Sequence, residues 1–400
     1  MNDAETRELG PHLPVALWWL GGGIGLLMAL VSLLLIPLPW MWPMLRQQGM
    51  GVLISGYGIL GLMLGLGVGL GAVRGIRRGP AGSFRDRWFW LLLLGGTLLF
   101  GVLALLTPFD VTGLGFVILH IALLTLPGLL LLAVLSVLIG PAVAARTRQL
   151  ILMMAGGALS SFGALPLEMV GLLLGGSLVV AVALAIPGGP SEVNALMERL
   201  TRWSTAPPTD PEELLTLVSS PVVLAILVIT LAVVAPLVEE LVKAGLVAVA
   251  GLWVRPGAGE TFLWGAACGI GFAVIEGVAN GAIGLESSVG WLGGLGTRVL
   301  ATAMHALTSG VMALGWRGLW TQRWWQLPLA FLGVTVYHGL WNFNVVLALG
   351  GAGVTSQIPA LGGGLLILGG ALAVGMMIFT LIALVALPLW LRERRSESQV

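Results

Sequence analysis

The stretch "PVVLAILVITLAVVAPLVEELVKAGLVAVAGLWV", residues 221–254, decides the fold class of this chain. It is apolar almost throughout, yet it carries adjacent carboxylates at Glu239 and Glu240 and an ammonium group at Lys243. An apolar run of about 20 residues is long enough to cross the hydrocarbon core of a bilayer. Because lipid offers no hydrogen bonds to the backbone, such a run is predicted to be helical.

The whole chain repeats this pattern. Of its 400 residues, 58% are hydrophobic and 9% are charged, whereas soluble domains average about 25% charged. The sequence therefore predicts an all-α, polytopic transmembrane helix bundle of about ten spans. The predicted spans are 15–38, 49–73, 88–107, 113–140, 150–186, 221–254, 261–284, 292–315, 327–349 and 361–390. The net charge of +1 indicates no nucleic-acid partner, so the expected surroundings are the lipid bilayer.

Two of these runs are longer than one straight crossing requires. The run 150–186 contains Pro166, and the run 221–254 contains Pro236. At about 1.5 Å per residue, each would extend about 50 Å as a straight helix. Twelve spans is therefore the alternative, in which each long run crosses the membrane twice.

Charge suggests the organisation of the chain and its orientation. The predicted regions are an N-terminal transmembrane region, a polar loop, a C-terminal functional core and a basic tail, at 1–186, 187–220, 221–390 and 391–400. Lys and Arg concentrate in the connections 74–87, 145–148 and 316–323 and in the tail. Because positive loops stay on the cytoplasmic side, both termini are predicted to be cytoplasmic.

Ionisable side chains within a bilayer are expensive, so each one suggests a function. Four consecutive apolar segments of the second half carry them. The groups are Glu239, Glu240 and Lys243; Glu276 and Asn280; Arg298 and His305; and His338 and Asn342. Each group alone has an ordinary structural explanation, such as an ion pair at a helix end or a hydrogen bond between helices. Together, in successive helices, they predict one polar functional site.

Helical spacing suggests the pairs within these groups. Glu239 and Lys243 are four residues apart and are predicted to pair on one face. Glu240 lies about 100° away around the helix, which leaves it available for chemistry. His120, in an N-terminal span, has no such company and is predicted to be structural.

Four motifs carry a resemblance to a known family. In order, "EELVK" (239–243), "FAVIE" (272–276), "MHALTSG" (304–310) and "HGLWN" (338–342) resemble the motifs of PrsW-like intramembrane proteases. These form a branch of the CAAX-protease and bacteriocin-processing superfamily. The resemblance covers about 230–345. It implies cleavage of membrane-anchored protein substrates in the cell inner membrane, and the best-known role of the family's namesake is cleavage of an anti-sigma factor.

The expected chemistry is hydrolysis by a water molecule that a glutamate activates. Glu240 is predicted to be the general base, with Glu239 sharing the task. His338 and Asn342 are predicted to direct donors at the developing oxyanion. His305 would donate a proton to the leaving amine or orient the water.

The remaining site residues have supporting roles in this scheme. Glu276 would hold the water or fix a histidine tautomer, with Asn280 beside it. Lys243 and Arg298 would balance the carboxylates. This scheme needs no cofactor, and the absence of an HExxH motif favours it over metal chemistry.

Three alternatives remain open. In the metal version, Glu276, His305 and His338 bind a catalytic zinc ion. A proton- or ion-coupled transporter is the second alternative, because intramembrane acids and histidines also form proton relays. The third is a membrane scaffold that has lost catalysis.

Overall fold

The computed structural model describes most of the chain. The described residues are 15–41, 50–76, 87–106, 114–140, 147–205, 213, 216–217, 219–281, 288–355 and 358–397. Within these ranges the secondary structure is helical and no strand occurs. The predicted all-α class is thus confirmed.

The helices follow the predicted apolar runs. They are α1 (Val15–Leu35), α2 (Leu38–Met41), α3 (Met50–Ile76), α4 (Arg87–Leu106), α5 (Leu114–Ile139), α6 (Thr147–Ala185), α7 (Gly189–Thr205), α8 (Pro221–Leu227), α9 (Ala235–Lys243), α10 (Gly245–Val254), α11 (Ala258–Gly281), α12 (Ser288–Trp320), α13 (Gln326–Thr355) and α14 (Pro359–Glu397). A π-helical turn, Val228–Val234, connects α8 to α9.

The span count agrees with the predicted polytopic bundle. In the described part of the chain, nine helical segments are long and apolar enough to cross a membrane, and the apolar stretch Trp90–Leu105 of α4 is shorter. The two long runs, Gln149–Ala185 and Pro221–Val254, each form one candidate span of 37 and 34 residues. Counting each long run once, as in the ten-span prediction, therefore fits better than counting it twice.

The segment predicted as a polar loop, 187–220, contains the helix α7. The prediction of a polar connection weighed overall polarity and did not consider the apolar spacing that forms this helix. Val193 and Leu196 are three residues apart and form one buried face, which packs on Ala183 of α6 and Val222 of α8. The polar residues of α7 point outward, so the helix is amphipathic.

The C-terminal end also differs from its prediction. The residues 391–400 were predicted to be a separate basic tail, but α14 runs without a break from Pro359 to Glu397. Arg392 is exposed at this end of the helix. The last turns therefore continue the membrane helix, and the basic charges sit on its end.

The chain divides into two compact units that alternate along the sequence. The first comprises the described residues within Met1–Ser161, Lys243–Phe331 and Thr380–Val400, and the second those within Phe162–Val242 and Leu332–Phe379. The division differs from the predicted boundaries at 186 and 220, because each unit is assembled from separate stretches of sequence.

The first unit is packed around α11. Within its span Ala258–Asn280, every residue from Glu260 to Ile275 is buried. Glycines allow this burial, since a Cβ at Gly269 would collide with the carbonyl oxygen of His305 on α12, and one at Gly271 with that of Met154 on α6. Small residues permit such close approach of helices in membranes. The same approach brings Glu276 of α11 beside α12.

In the second unit, α13 is fastened to α14 by polar contacts. The Tyr337 hydroxyl donates to the carbonyl oxygen of Met376 at 2.7 Å, and the Tyr337 ring lies against Phe379. The Asn344 amide contacts the Met376 sulfur at 3.4 Å. These contacts hold in place the helix that carries His338.

Candidate active site

The first cluster lies in the first unit and is centred on Glu276. One carboxylate oxygen, Oε1, accepts from Arg298 Nη1 at 3.0 Å and from Asn280 Nδ2 at 2.8 Å. The other oxygen, Oε2, lies 2.9 Å from Nε2 of His305. The predicted i,i+4 pairing of Glu276 with Asn280 is therefore present. Arg298 supplies the charge that a carboxylate within a membrane helix requires.

His305 is held from both sides of its ring. Its Nδ1 lies 2.7 Å from Nζ of Lys243, while its Nε2 faces Glu276. A lysine ammonium can only donate and a carboxylate can only accept. All three groups are matched when His305 is neutral with its proton on Nε2. The cluster thus assigns one tautomer of the imidazole, inferred from its partners.

Lys243 is fully buried, and an aromatic ring helps to compensate it. Its side chain has no exposed surface, and Nζ lies 4.4 Å from the ring centroid of Phe272. A cation over an aromatic face is stabilised by the ring quadrupole. The same ring is tilted against His305 at 5.8 Å between centroids. Phe272 is the first residue of the "FAVIE" motif, and nothing else in the sequence indicates this contact.

The second cluster lies in the second unit and pairs one imidazole with two carboxylates. Nδ1 of His338 is 2.8 Å from Oε1 of Glu240, and Nε2 is 3.8 Å from Oε2 of Glu239. The first contact is a hydrogen bond, whereas the second is too long for one. All three side chains are buried, and Glu240 has no exposed surface.

Asn342 lies one turn beyond His338 on α13. Its Nδ2 donates to the backbone carbonyl oxygen of Leu231, in the π-helical turn, at 2.9 Å. The role predicted for this side chain was a donor to the oxyanion of the reaction, and that role stays a prediction. Sequence spacing gave no sign of the contact with Leu231.

All nine residues predicted for the site therefore occupy one of two neighbourhoods. The first cluster contains Lys243, Glu276, Asn280, Arg298 and His305, and the second contains Glu239, Glu240 and His338, with Asn342 beside it. The short helix α9 contributes to both, since the boundary between the units follows Val242. Two predictions draw on both units and remain predictions: the Glu239–Lys243 pair and the metal set Glu276, His305 and His338.

His120, predicted to be structural, has local partners. It is fully buried in α5, and its Nδ1 accepts from Nε1 of Trp291 at 3.0 Å. The ring of Phe116 stacks on it with an interplanar angle of 8°. These contacts lie within the first unit and include no member of the first cluster.

The fold and the clusters define a class: a polytopic α-helical membrane protein that pairs carboxylates with imidazoles inside its helices. A family model described as "PrsW family intramembrane metalloprotease" matches residues 146–384. The match covers more than half of the chain and includes all nine predicted site residues. The chain belongs to this family of intramembrane proteases. No curated protein and no solved structure matched it.

The family assignment confirms the resemblance seen in the motifs and corrects one preference. A multi-pass membrane protease is what the apolar helices and the family together support. The family is named for metal chemistry, so the expectation of cofactor-free glutamate catalysis is not supported. The zinc alternative is favoured over no cofactor.

Proposed function

We propose that this protein hydrolyses peptide bonds of membrane-anchored proteins within the bilayer, with a zinc ion bound at the second cluster. The observation that carries the proposal is the arrangement of Glu239, Glu240 and His338 in a chain of the PrsW family. Three buried groups of this kind are costly unless charge or coordination compensates them. A divalent cation is such a compensation.

The donor set of the second cluster fits zinc. His338 Nε2 and Glu239 Oε2 are 3.8 Å apart, close to the ligand separation of about 3.3 Å at a tetrahedral zinc ion with bonds of about 2 Å. The opposite ring nitrogen, Nδ1, is hydrogen-bonded to Glu240. A carboxylate on the second nitrogen commonly orients a zinc-bound histidine. When bound, the ion would polarise the scissile carbonyl and make a water molecule more acidic.

In this scheme each member of the second cluster has one task. His338 and Glu239 bind the metal, and Glu240 fixes the ring of His338. Glu240 also remains the proposed general base, because a buried carboxylate at the reaction centre can accept the proton of a water molecule. The sequence-based prediction names His305 and Glu276 as further ligands, and in the structure both are engaged within the first cluster.

The first cluster is proposed to manage protons and charge. In its assigned tautomer, His305 carries its proton on Nε2, 2.9 Å from Oε2 of Glu276. Lys243, on the other ring nitrogen, keeps that tautomer in place. We assign to His305 the orientation of the attacking water molecule, while the proton that Glu240 takes from this water passes to the leaving amine. Arg298 and Asn280 hold the Glu276 carboxylate in position for this.

The substrate class is proposed from where the clusters lie. Their members sit in helices that are candidate membrane spans, so the proposal requires a bond that can reach them from within the bilayer. Membrane-anchored proteins meet this requirement, and an anti-sigma factor is the substrate that the family resemblance suggests. An inner-membrane location with both termini in the cytoplasm completes the proposal.

The first experiment compares protein termini in membranes that contain the protein or its Glu240→Gln variant at equal levels. The substitution removes the base and keeps the shape, so we expect cleavage to fall by about 10²–10⁴-fold. New N-termini near membrane segments should appear only with the intact glutamate. Mass-spectrometric mapping of N-terminal peptides measures this.

The matched control is Glu198→Gln, which removes an exposed carboxylate from α7. It should leave the termini of the intact protein unchanged. Identical maps for the intact protein and Glu240→Gln, with both proteins folded, would reject proteolysis. The transporter and scaffold alternatives would then take its place.

A further inference from the structure

The π-helical turn before the two glutamates creates an unusual backbone problem. At its end the N–H of Ala235 bonds to the carbonyl of Thr230, five residues back. Continuing that pattern, the N–H of residue 236 would bond to the carbonyl of Leu231. Residue 236 is proline and has no N–H. The Leu231 carbonyl therefore loses the backbone partner that the π pattern assigns to it.

A side chain takes the place of the missing donor. Nδ2 of Asn342 donates to the Leu231 carbonyl oxygen at 2.9 Å. Pro236 is buried and Leu231 is partly buried, in a segment long and apolar enough to span the membrane. A carbonyl oxygen in such surroundings needs a partner, because lipid supplies none.

Gly339, one helical turn before Asn342 on α13, allows the two helices to approach this closely. A Cβ at Gly339 would collide with the carbonyl oxygen of Ala232. In a regular α-helix that carbonyl would bond to the N–H of residue 236, which proline lacks. Gly339 and Asn342 thus face the two carbonyls that Pro236 leaves without their usual donor. His338 is adjacent to Gly339 on α13, and from there it bonds to Glu240 of α9.

We propose that Asn342 is a positioning residue that replaces the missing N–H of Pro236 and thereby fixes the direction of Glu239 and Glu240. The glutamates lie on α9, which begins where the π turn ends, and a π turn changes the angle at which later residues leave the helix axis. Locking the Leu231 carbonyl of this turn to α13 sets that angle relative to His338. The inference rests on the proposed function, in which these three side chains form the reaction centre.

This role differs from donating a hydrogen bond to the substrate, the role predicted from sequence. A substrate-binding amide can be replaced only by another group that reaches the substrate. A positioning amide can be replaced by any donor that satisfies Leu231. A backbone N–H restored at residue 236 is such a donor, because it bonds to the same Leu231 carbonyl oxygen from within its own helix.

The test is a four-protein cycle of the intact chain, Asn342→Ala, Pro236→Ala and the double variant. We expect Asn342→Ala to lower kcat by about 10²-fold with little change in KM, because the glutamates are misplaced. In the double variant, Pro236→Ala should restore kcat to at least a tenth of the rate of the intact chain, since the new N–H of residue 236 bonds to the Leu231 carbonyl. A double variant no faster than Asn342→Ala would overturn the proposal.

Thermal unfolding of the same four proteins in detergent gives a readout independent of catalysis. Asn342→Ala should lower the Tm, and the double variant should recover most of the loss. Additive Tm losses would contradict the proposal even if no substrate were found. Failure of the proposed function would instead appear as absence of cleavage by the intact chain, while the Tm coupling persisted.

Two further variants guard against misfolding. Pro236→Ser supplies the same N–H with a different side chain and repeats the cycle if the alanine variant does not fold. Asn342→Leu fills similar space without a donor, and it should be as slow as Asn342→Ala. A Leu variant with the intact rate would show that packing alone positions the glutamates, which overturns the proposal.

Discussion

The two clusters use the same residue types and differ in how their charges are matched. In the first, one carboxylate meets an arginine, an amide and an imidazole, and a lysine closes the other side of the ring. In the second, two carboxylates share one imidazole, and one of the two distances is a long 3.8 Å. The first is a matched ionic network. The second has the donor set and spacing that a cation would complete.

The difference suggests a division of labour within the proposed enzyme. A network in which each donor meets an acceptor keeps side chains in one arrangement. A carboxylate-rich set is suited to bind a metal ion and to exchange protons. Substitutions in the two clusters should therefore differ in their effects on zinc content, activity and stability.

The largest expected effect concerns zinc. The purified protein should contain about one zinc ion per chain, and His338→Ala or Glu239→Gln should remove it. Arg298→Met, in the first cluster, should keep its zinc, because the arginine cannot ligate a metal. Elemental analysis by mass spectrometry measures the content. A protein that cleaves at full rate after chelation, with no zinc present, would refute the metal proposal.

The fate of Glu276→Gln sharpens the same comparison. If Glu276 belongs only to the ionic network, zinc is retained, and the metal set predicted from the sequence is not supported. If zinc is lost, the sequence-based metal set that includes Glu276 is supported. Glu198→Gln on α7 serves as the matched control for the change of charge.

A smaller effect is expected from breaking the ionic network itself. Arg298→Met leaves the Glu276 carboxylate with one cationic partner fewer, which should lower the free energy of unfolding by about 2 kcal/mol. Adding Glu276→Gln should recover part of the loss, because the two side chains interact directly. Arg202→Met, at an exposed position of α7, is the control. Strictly additive losses would show that the pair is not coupled.

The smallest effect should lie in the amphipathic helix, far from either cluster in sequence. Nε1 of Trp203 donates to Oε1 of Glu213 at 2.9 Å. Trp203→Phe keeps an aromatic ring and removes the donor, which should cost about 0.5–1.5 kcal/mol. Zinc content and cleavage should not change. A loss of activity with stability intact would indicate that α7 takes part in substrate handling.

Much of the fold could be predicted because the bilayer imposes simple rules. A run such as 221–254 must be helical and long enough to cross the membrane, and the structure agrees. Helix α7 was not predicted because its buried face has only a few apolar residues among polar ones. The π turn was not predicted because no residue type requires a π turn. The asparagine that bonds to its Leu231 carbonyl lies on a helix about a hundred residues further along the chain.

The residues of the two clusters could be named from sequence, but their partners could not. The four motifs contain all of these residues except Asn280 and Arg298, and those two stood out as polar positions in apolar helices. Helical spacing found the pair Glu276–Asn280, which lies within one helix. It could not assign His305 to Glu276 or His338 to Glu240, because those pairs depend on how separate helices pack. Spacing along one helix says nothing of its neighbours.

One short helix has a consequence for how this protein can vary. Glu240 and Lys243 are three residues apart on α9, and each holds a different histidine. Adding or deleting one residue between them would turn the second side chain by about 100° relative to the first. The helix could then keep the contact of Glu240 with His338 or that of Lys243 with His305, but not both. We therefore expect homologous chains to change the residue types at 241 and 242 freely, but to keep the number of residues there fixed.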